Sequence, residues 1–126
     1  MRAEEQQVEV VAESDYLKEQ SHPERNHFVF GYTITIRNVG TKRVRLLTRH
    51  WLVTDANGRV QEVRGDGVVG EQPTLAPGEQ FQYSSGTFLE TPVGSMHGSY
   101  GMVDEDGVPF TAKIPPFSLA IAGIVH

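Results

Sequence analysis

Three glycines near the middle of the chain have the spacing of a dinucleotide-binding turn. The segment Arg64–Gly70 reads R-G-D-G-V-V-G, which contains the pattern G-x-G-x-x-G. Its glycines are Gly65, Gly67 and Gly70. In a dinucleotide-binding domain this motif joins a strand to a helix whose first N–H groups face the pyrophosphate. Here Pro73 and Pro77 follow so closely that they prevent a helix of useful length. We therefore do not predict a Rossmann-type site.

The same segment could bind a phosphate group without a helix. Successive glycine N–H groups form anion-binding concavities, and Arg49 and Arg64 could add bidentate contacts to the oxygens. Asp66 and Glu71 would repel phosphate unless a metal ion bridged them. The competing interpretation, which we favour, is that the glycines only provide backbone angles for a loop at the edge of the fold. The candidate site for pyrophosphate, nucleotide or a divalent metal ion comprises Gly65, Gly67, Gly70, Arg64 and Arg49.

Other catalytic and metal-binding patterns are weak in this sequence. The five histidines show neither H-x-H nor H-x3-H spacing, and there is no cysteine, so no metal ligands are assigned. The acidic segment Asp104–Gly107 fits a hairpin turn better than a calcium loop. The sequence contains no nucleophile elbow and no H-E-x-x-H motif. We expect a protein that is not an enzyme, with hydrolysis of phosphorylated substrates as a minor alternative.

Length and charge restrict the class of protein. The 126 residues suffice for one domain with its own hydrophobic core, which we assign to 1–126. The formal net charge of −5 argues against nucleic-acid binding, although Arg37–Arg64 holds seven basic and two acidic residues and could attract anions. The N-terminus has no apolar signal region, and the longest apolar stretch, Phe117–Val125, is too short to span a bilayer. We expect a cytoplasmic protein that binds neither nucleic acid nor membrane.

Hydrophobic alternation predicts β-strands and no helix. The clearest strand is His27–Asn38, where large apolar residues occupy every second position. In Arg43–Asp55 neither face is cleanly apolar, which predicts a bulge or two buried faces, and Trp51 is predicted to belong to the core. Asn57-Gly58 predicts a two-residue hairpin turn, because both positions tolerate a positive φ. Together these segments predict an all-β fold, an antiparallel β-sandwich of seven or eight strands.

Two segments are predicted to interrupt regular strand pairing. The first strand is predicted to bulge around Val11–Ser14, where its alternation weakens. Pro115-Pro116 lies inside the last strand and places it at a sheet edge or a crossover, because proline has no N–H to donate. Exposed edge strands invite pairing between copies, so we expect a monomer or a weak homodimer.

Several sequence blocks together resemble the bacterial ApaG family. They are Phe30–Asn38, Leu46–Thr54, Val63–Pro73, Leu75–Glu79, Tyr83–Gly86 and Met102–Phe110. The resemblance extends from about Val8 to His126 and implies an immunoglobulin-like or fibronectin type III-like sandwich. Asp66 stands where many members of that family have Glu, a difference that favours a tighter turn.

The resemblance also implies a poorly defined biological role. Related domains in eukaryotic F-box proteins and in a polymerase-interacting protein look like interaction modules. The bacterial family is linked to cobalt and magnesium homeostasis, and its glycine motif has been suggested to bind pyrophosphate or nucleotide. The resemblance therefore implies a non-enzymatic module with an unidentified protein partner, and a small phosphorylated ligand is the alternative.

Overall fold

The computed structural model describes residues 7–121 and arranges them in two antiparallel β-sheets that form a sandwich. The strands are β1 (Val8–Tyr16), β2 (Phe28–Asn38), β3 (Val44–Asp55), β4 (Val60–Asp66), β5 (Thr74–Leu75), β6 (Gln80–Leu89), β7 (Val93–Asp104) and β8 (Pro109–Ala120). Two short 3-10 helices, Lys18–Gln20 and Pro23–Arg25, lie between β1 and β2. The predicted all-β sandwich of seven or eight antiparallel strands is confirmed.

The two long sides of the sandwich differ in how they are covered. The smaller sheet has the order β1-β2-β6, and the larger has the order β4-β3-β7-β8, with β5 paired to the beginning of β3. On one side β1 meets β8, where the Ser14 hydroxyl donates to the Ser118 carbonyl oxygen at 2.7 Å. On the other side the edge strands are β4 and β6. On this side β4 is the open edge of the larger sheet, and all of its residues except Gly65 are exposed.

The core lies between the two sheets and follows the predicted alternation. In β2 the buried positions are Phe28, Phe30, Tyr32, Ile34, Ile36 and Asn38. The larger sheet contributes Trp51, of which 3% is exposed, and its ring centroid lies 5.4 Å from that of Tyr32. The prediction that Trp51 belongs to the core is therefore confirmed. Aromatic pairs at this spacing add to the hydrophobic stabilisation of the sandwich.

The predicted irregularities are present in two strands and absent from a third. The β3–β7 register shifts between Leu46 and Thr48, which confirms a bulge in β3. The β7–β8 register shifts opposite Pro115-Pro116, and β8 is an edge strand, as predicted. In contrast, β1 pairs with β2 residue by residue, so the bulge predicted around Val11–Ser14 is wrong. The alternation there continues through small inward-facing residues, which hydrophobicity alone does not reveal.

Two hairpins use the same five-residue turn. In Asp55–Arg59 and Asp104–Val108, the first carboxylate accepts hydrogen bonds from the N–H groups two and four residues later. Gly58 and Gly107 have φ of 81° and 80°. Asn57 does not share this conformation, and Asp55 N–H donates to the Arg59 carbonyl oxygen across three turn residues, so the predicted two-residue length of the turn is wrong. The aspartate satisfies the turn N–H groups, and only the glycine must be left-handed.

Candidate functional site

The glycine segment leads from β4 into a tight hairpin. Gly65 still pairs with Arg49 in the sheet, and the chain then reverses at Val68–Glu71. Val68 N–H donates to the Glu71 carbonyl oxygen at 2.8 Å, and Glu71 N–H donates to the Val68 carbonyl oxygen at 2.9 Å. The two tip residues, Val69 and Gly70, have φ of 43° and 83°, the paired positive angles of a type I′ turn. The chain then enters β5, so no helix follows the glycines.

Part of the predicted anion-binding concavity is already used by internal hydrogen bonds. Gly67 N–H donates to the Leu47 carbonyl oxygen at 2.8 Å, and Val68 N–H is held in the turn. Within residues 7–121, the N–H groups of Val69 and Gly70 have no acceptor. The loop therefore offers two adjacent donors at its tip in place of a continuous row from Gly65 to Gly70.

Arg49 holds this loop in place from the inner face of β3. One of its terminal nitrogens, Nη1, donates to the carbonyl oxygens of Asp66 and Gly67 at 2.9 and 3.0 Å. Its guanidinium carbon lies directly over Gly65, where an added Cβ would come within 2.7 Å of it. Gly65 thus makes room for an arginine that braces the chain. Hydrogen bonds from a charged donor of this kind contribute about 1.5–3 kcal/mol.

Arg64 lies on the other face of the same sheet. In the β3–β4 register, Arg64 lies across from His50 and Gly65 lies across from Arg49. Because neighbouring residues of a strand point to opposite faces, the Arg64 side chain is on the face opposite to that of Arg49. Arg64 Nη2 donates to Glu62 Oε2 at 2.9 Å, and the same oxygen lies 2.7 Å from His50 Nε2. The hydrogen bond with His50 and the charge of Arg64 hold the pKa of Glu62 below its ordinary value. Arg64 and Arg49 therefore lie on opposite sides of the sheet.

A cavity of about 200 Å³ opens between the two sheets beside the loop. It is lined by Tyr32, Arg49, Trp51, Val68, Val69, Gly70, Tyr83 and Ser85. The rings of Tyr32, Trp51 and Tyr83 contribute to its walls, the Arg49 side chain adds one cationic group, and more of the accessible lining is polar than apolar. Such a mixture suits a side chain or a small ligand with an apolar body and a polar end.

Val69 stands at the mouth of this cavity in an unusual conformation. It is 55% exposed and has φ of 43°, a backbone region that β-branched residues rarely adopt. The type I′ turn and the braced loop beneath it impose this conformation. An exposed valine held in a costly conformation is a feature often found where a loop contacts a ligand or partner.

Sequence reasoning found part of this arrangement. Arg49 does lie against Gly65 and Gly67, as the candidate site requires, but its Nη1 donates to the backbone carbonyl oxygens of Asp66 and Gly67. Anion binding by the candidate residues stays a prediction. The aromatic cavity was missed because Tyr32 and Tyr83 look like ordinary core positions in the sequence. One sequence feature could have located the cavity. Gly65, which has no side chain, lies directly opposite the large Arg49 in the β3–β4 pairing.

Two glycine substitutions in the loop are expected to differ in cost although both sites have positive φ. Gly67→Ala would push a Cβ into the Glu71 carbonyl oxygen, whereas Gly70→Ala would meet nothing within 4 Å. Gly70→Ala should lose about 1 kcal/mol through its left-handed backbone alone, and Gly67→Ala about 2–3 kcal/mol because overlap is added. Urea unfolding of both variants measures the difference, and equal losses would contradict the steric role of Gly67.

The described residues contain neither a metal cluster nor a membrane helix. Between positions 7 and 121, no three His, Asp or Glu side chains are grouped so that they could hold a metal ion. In that same part of the chain, no helix has the length and apolar character needed to cross a bilayer.

Comparison with known proteins gives consistent matches over nearly the whole chain. A family model described as "ApaG domain" matches residues 18–104. Protein ApaG of Azoarcus sp. strain BH72 is 56% identical over 125 residues, covering 99% of this chain and 98% of its own. Protein ApaG of Pseudomonas aeruginosa strain LESB58 is 58% identical over 120 residues, 95% of each chain. A crystal structure from Bordetella pertussis, solved under the name ApaA protein, has a TM-score of 0.90 and 48% identity, covering 92% of this chain and 94% of its own.

Proposed function

The chain belongs to the ApaG family, and from its open sheet edge we propose that it is a non-enzymatic protein-interaction module that pairs an extended segment of its partner with β4. The relatives carry no named activity, and the proposal involves no catalytic step. The likeness to fibronectin type III and immunoglobulin domains is part of this proposal, since sandwiches of that kind often serve in recognition.

The observation that carries the proposal is the exposed outer edge of β4, which pairs with no other strand between positions 7 and 121. Gly67 N–H bonds to Leu47 at one end of the β3–β4 ladder, and Asp55 N–H bonds to Arg59 at the other. Hydrogen-bonded pairs alternate along an antiparallel ladder, so the odd-numbered residues of β4 bond to β3. The backbone N–H and C=O groups of the even-numbered residues therefore point outward, where an added strand can bond to them.

Apolar side chains beside this edge support a protein partner. Val63 is 42% exposed on the inner face of β4, and Val69 stands next to the end of the strand. Edge strands are usually protected from pairing by charge, proline or strong bulges. In β4 the pairing with β3 is regular, no proline is present, and the charged residues Glu62, Arg64 and Asp66 are of mixed sign.

A small phosphorylated ligand is the second candidate. It is favoured by the free N–H groups of Val69 and Gly70 beside a cavity that contains Arg49. It is opposed by the internal bonds of Arg49 and Gly67 and by two acidic residues, Asp66 and Glu71, in the same loop. A divalent ion such as Mg²⁺ or Co²⁺ would belong to this second candidate, because it could bridge those acids to a phosphate.

Selection of peptides from a random phage-displayed library tests the proposal. Arg64→Pro removes an outward N–H while sparing the bonds to β3, and Arg64→Ala removes the same charge but keeps the N–H. Peptides that bind the wild-type protein should lose about tenfold or more in affinity for Arg64→Pro and retain binding to Arg64→Ala. Their NMR shift changes should centre on Val60–Asp66.

The opposite pattern would reject the edge as the binding surface. The edge would be rejected if the peptides bound Arg64→Pro and Arg64→Ala equally, or if their NMR shift changes lay in strands other than β4. A saturable thermal shift with pyrophosphate or ATP, with Mg²⁺ or Co²⁺ present or absent, would instead support the small-ligand candidate. Circular dichroism and urea unfolding of both variants establish that the fold is intact in each comparison.

A further inference from the structure

We propose that β4 pairs with β4 of a second copy of this chain, in a symmetric antiparallel dimer centred on Val63. This inference rests on the proposed function, since it names the partner for the same edge. A two-fold dimer requires a surface that is complementary to itself. The sequence of β4, V-Q-E-V-R-G-D, meets this requirement in the register that overlaps all seven residues.

The backbone directions of β4 fit that register. With Val63 opposite Val63 of the second copy, Glu62 faces Arg64 and Val60 faces Asp66. These are all even-numbered residues, whose N–H and C=O groups point away from β3. Each such pair can exchange two hydrogen bonds, and the two-fold axis repeats every pair. Val63 then occupies the position where no hydrogen bonds are exchanged and side chains approach most closely.

The charges select this register over its neighbours. Centring on Val63 places Glu62 opposite Arg64 twice. A shift of the axis to Glu62 would oppose two glutamates, and a shift to Arg64 would oppose two arginines. Like charges directly opposite each other destabilise a strand pair, and opposite charges stabilise it. Shifts of the pairing by an odd number of residues would place the outward N–H and C=O groups of one copy opposite groups of the other copy that are already bonded to β3.

Two side chains of β4, Glu62 and Val63, can form contacts across this dimer interface. Glu62 uses Oε2 for both His50 and Arg64, and within residues 7–121 its Oε1 has no partner. That oxygen can accept from Arg64 of the second copy. Val63 of one copy would cover Val63 of the other and reduce the 42% exposure of this side chain. A seven-residue strand contact is small, so we expect a reversible dimer with micromolar or weaker affinity.

Charge exchange in β4 gives a sharp test by sedimentation velocity over a range of protein concentrations. E62R and R64E each place like charges opposite each other, and each should weaken self-association about tenfold or more. The double variant E62R/R64E restores opposite charges and should recover wild-type association. An equimolar mixture of E62R and R64E should form a heterodimer. K113E, on the edge strand β8 of the same sheet, is the matched control and should associate like the wild type.

Several outcomes would overturn the dimer. It fails if the wild-type protein stays monomeric at millimolar concentration, if either single reversal associates as well as the wild type, or if the folded double variant does not recover. Failure here is distinct from failure of the proposed function. If selected peptides still bind β4 and lose affinity for Arg64→Pro, the edge is an interaction surface for a different protein; if they do not, both ideas fail.

Discussion

Gly98→Ala is expected to abolish cooperative folding or to lower the free energy of unfolding by about 4 kcal/mol or more. Gly98 lies in β7, opposite Trp51 of β3 and next to the register shift with β8. An added Cβ would overlap the carbonyl oxygen of His50 and would press on the Trp51 Cα. The obstacle is backbone of the neighbouring strand, which cannot rotate away as a side chain can. The two central strands of the larger sheet would have to separate.

Gly86→Ala is the matched control for this prediction. Gly86 is also a strand glycine, in β6, but an added Cβ would meet only the Phe30 carbonyl oxygen at an ordinary 3.4 Å. Its substitution should change the free energy of unfolding by less than about 1 kcal/mol. Thermal and urea unfolding monitored by circular dichroism compare the two. Similar losses in both variants would show that close strand approach at Gly98 is not what requires glycine.

The three glycines of the central motif each meet a different backbone requirement of the loop. Gly65 makes room for the Arg49 guanidinium, Gly67 avoids the Glu71 carbonyl oxygen, and Gly70 completes a type I′ turn with Val69. Each position therefore requires glycine for a separate local reason. Their spacing matches the dinucleotide motif, but no helix follows to give that spacing its meaning.

The fold was largely predictable from sequence because it depends on local alternation. The strand β2 shows this well, since its large apolar residues occupy one face without interruption. Turn residues and Pro115-Pro116 marked the strand ends and the edge strand. The sequence failed at β1, where Ala12 and Ser14 continue the alternation with small side chains. At Asn57, the turn angle depends on hydrogen bonds from the Asp55 carboxylate, which sequence spacing alone did not indicate.

The candidate site was less predictable because it depends on contacts between distant segments. Arg49 and Gly65 come together only through the β3–β4 register, and Tyr32 and Tyr83 join them from the other sheet. An unpaired edge strand is also a property of the whole topology. Its self-complementary sequence, however, can be read once the strand and its outward groups are known. The functional proposals therefore depend on the register of β4 more than on any motif.

Between the sheets, a pair of buried tyrosine hydroxyls is expected to make the fold sensitive to alkaline pH. The hydroxyl groups of Tyr83 in β6 and Tyr100 in β7 lie 2.5 Å apart and bridge the two sheets. Burial raises the pKa of Tyr83 to about 12, and burial together with the neighbouring Tyr83 raises the pKa of Tyr100 further. Neither hydroxyl can ionise at ordinary cost while the sandwich is closed.

The direction of the pH effect follows from these raised pKa values. The folded protein holds both phenol protons more tightly than the unfolded chain, in which tyrosine ionises near pH 10. The resulting stabilisation is complete below pH 10 and is lost as the pH rises through about 12. For Tyr83 alone, raising the pKa from near 10 to about 12 corresponds to roughly 3 kcal/mol. We expect the loss of stability to begin between pH 10 and pH 12 and to grow as Tyr100 also ionises.

Replacing both hydroxyls isolates this contribution, because the other titrating groups are unchanged. The double variant Y83F/Y100F removes a hydrogen-bonded pair together and should unfold at pH 7 within about 1 kcal/mol of the wild type. Near pH 12 it should be more stable than the wild type by about 2 kcal/mol or more. Urea unfolding at pH 8, 10 and 12 measures the difference. A constant difference between the two proteins across this range would mean that the tyrosine pair does not couple ionisation to opening of the sandwich.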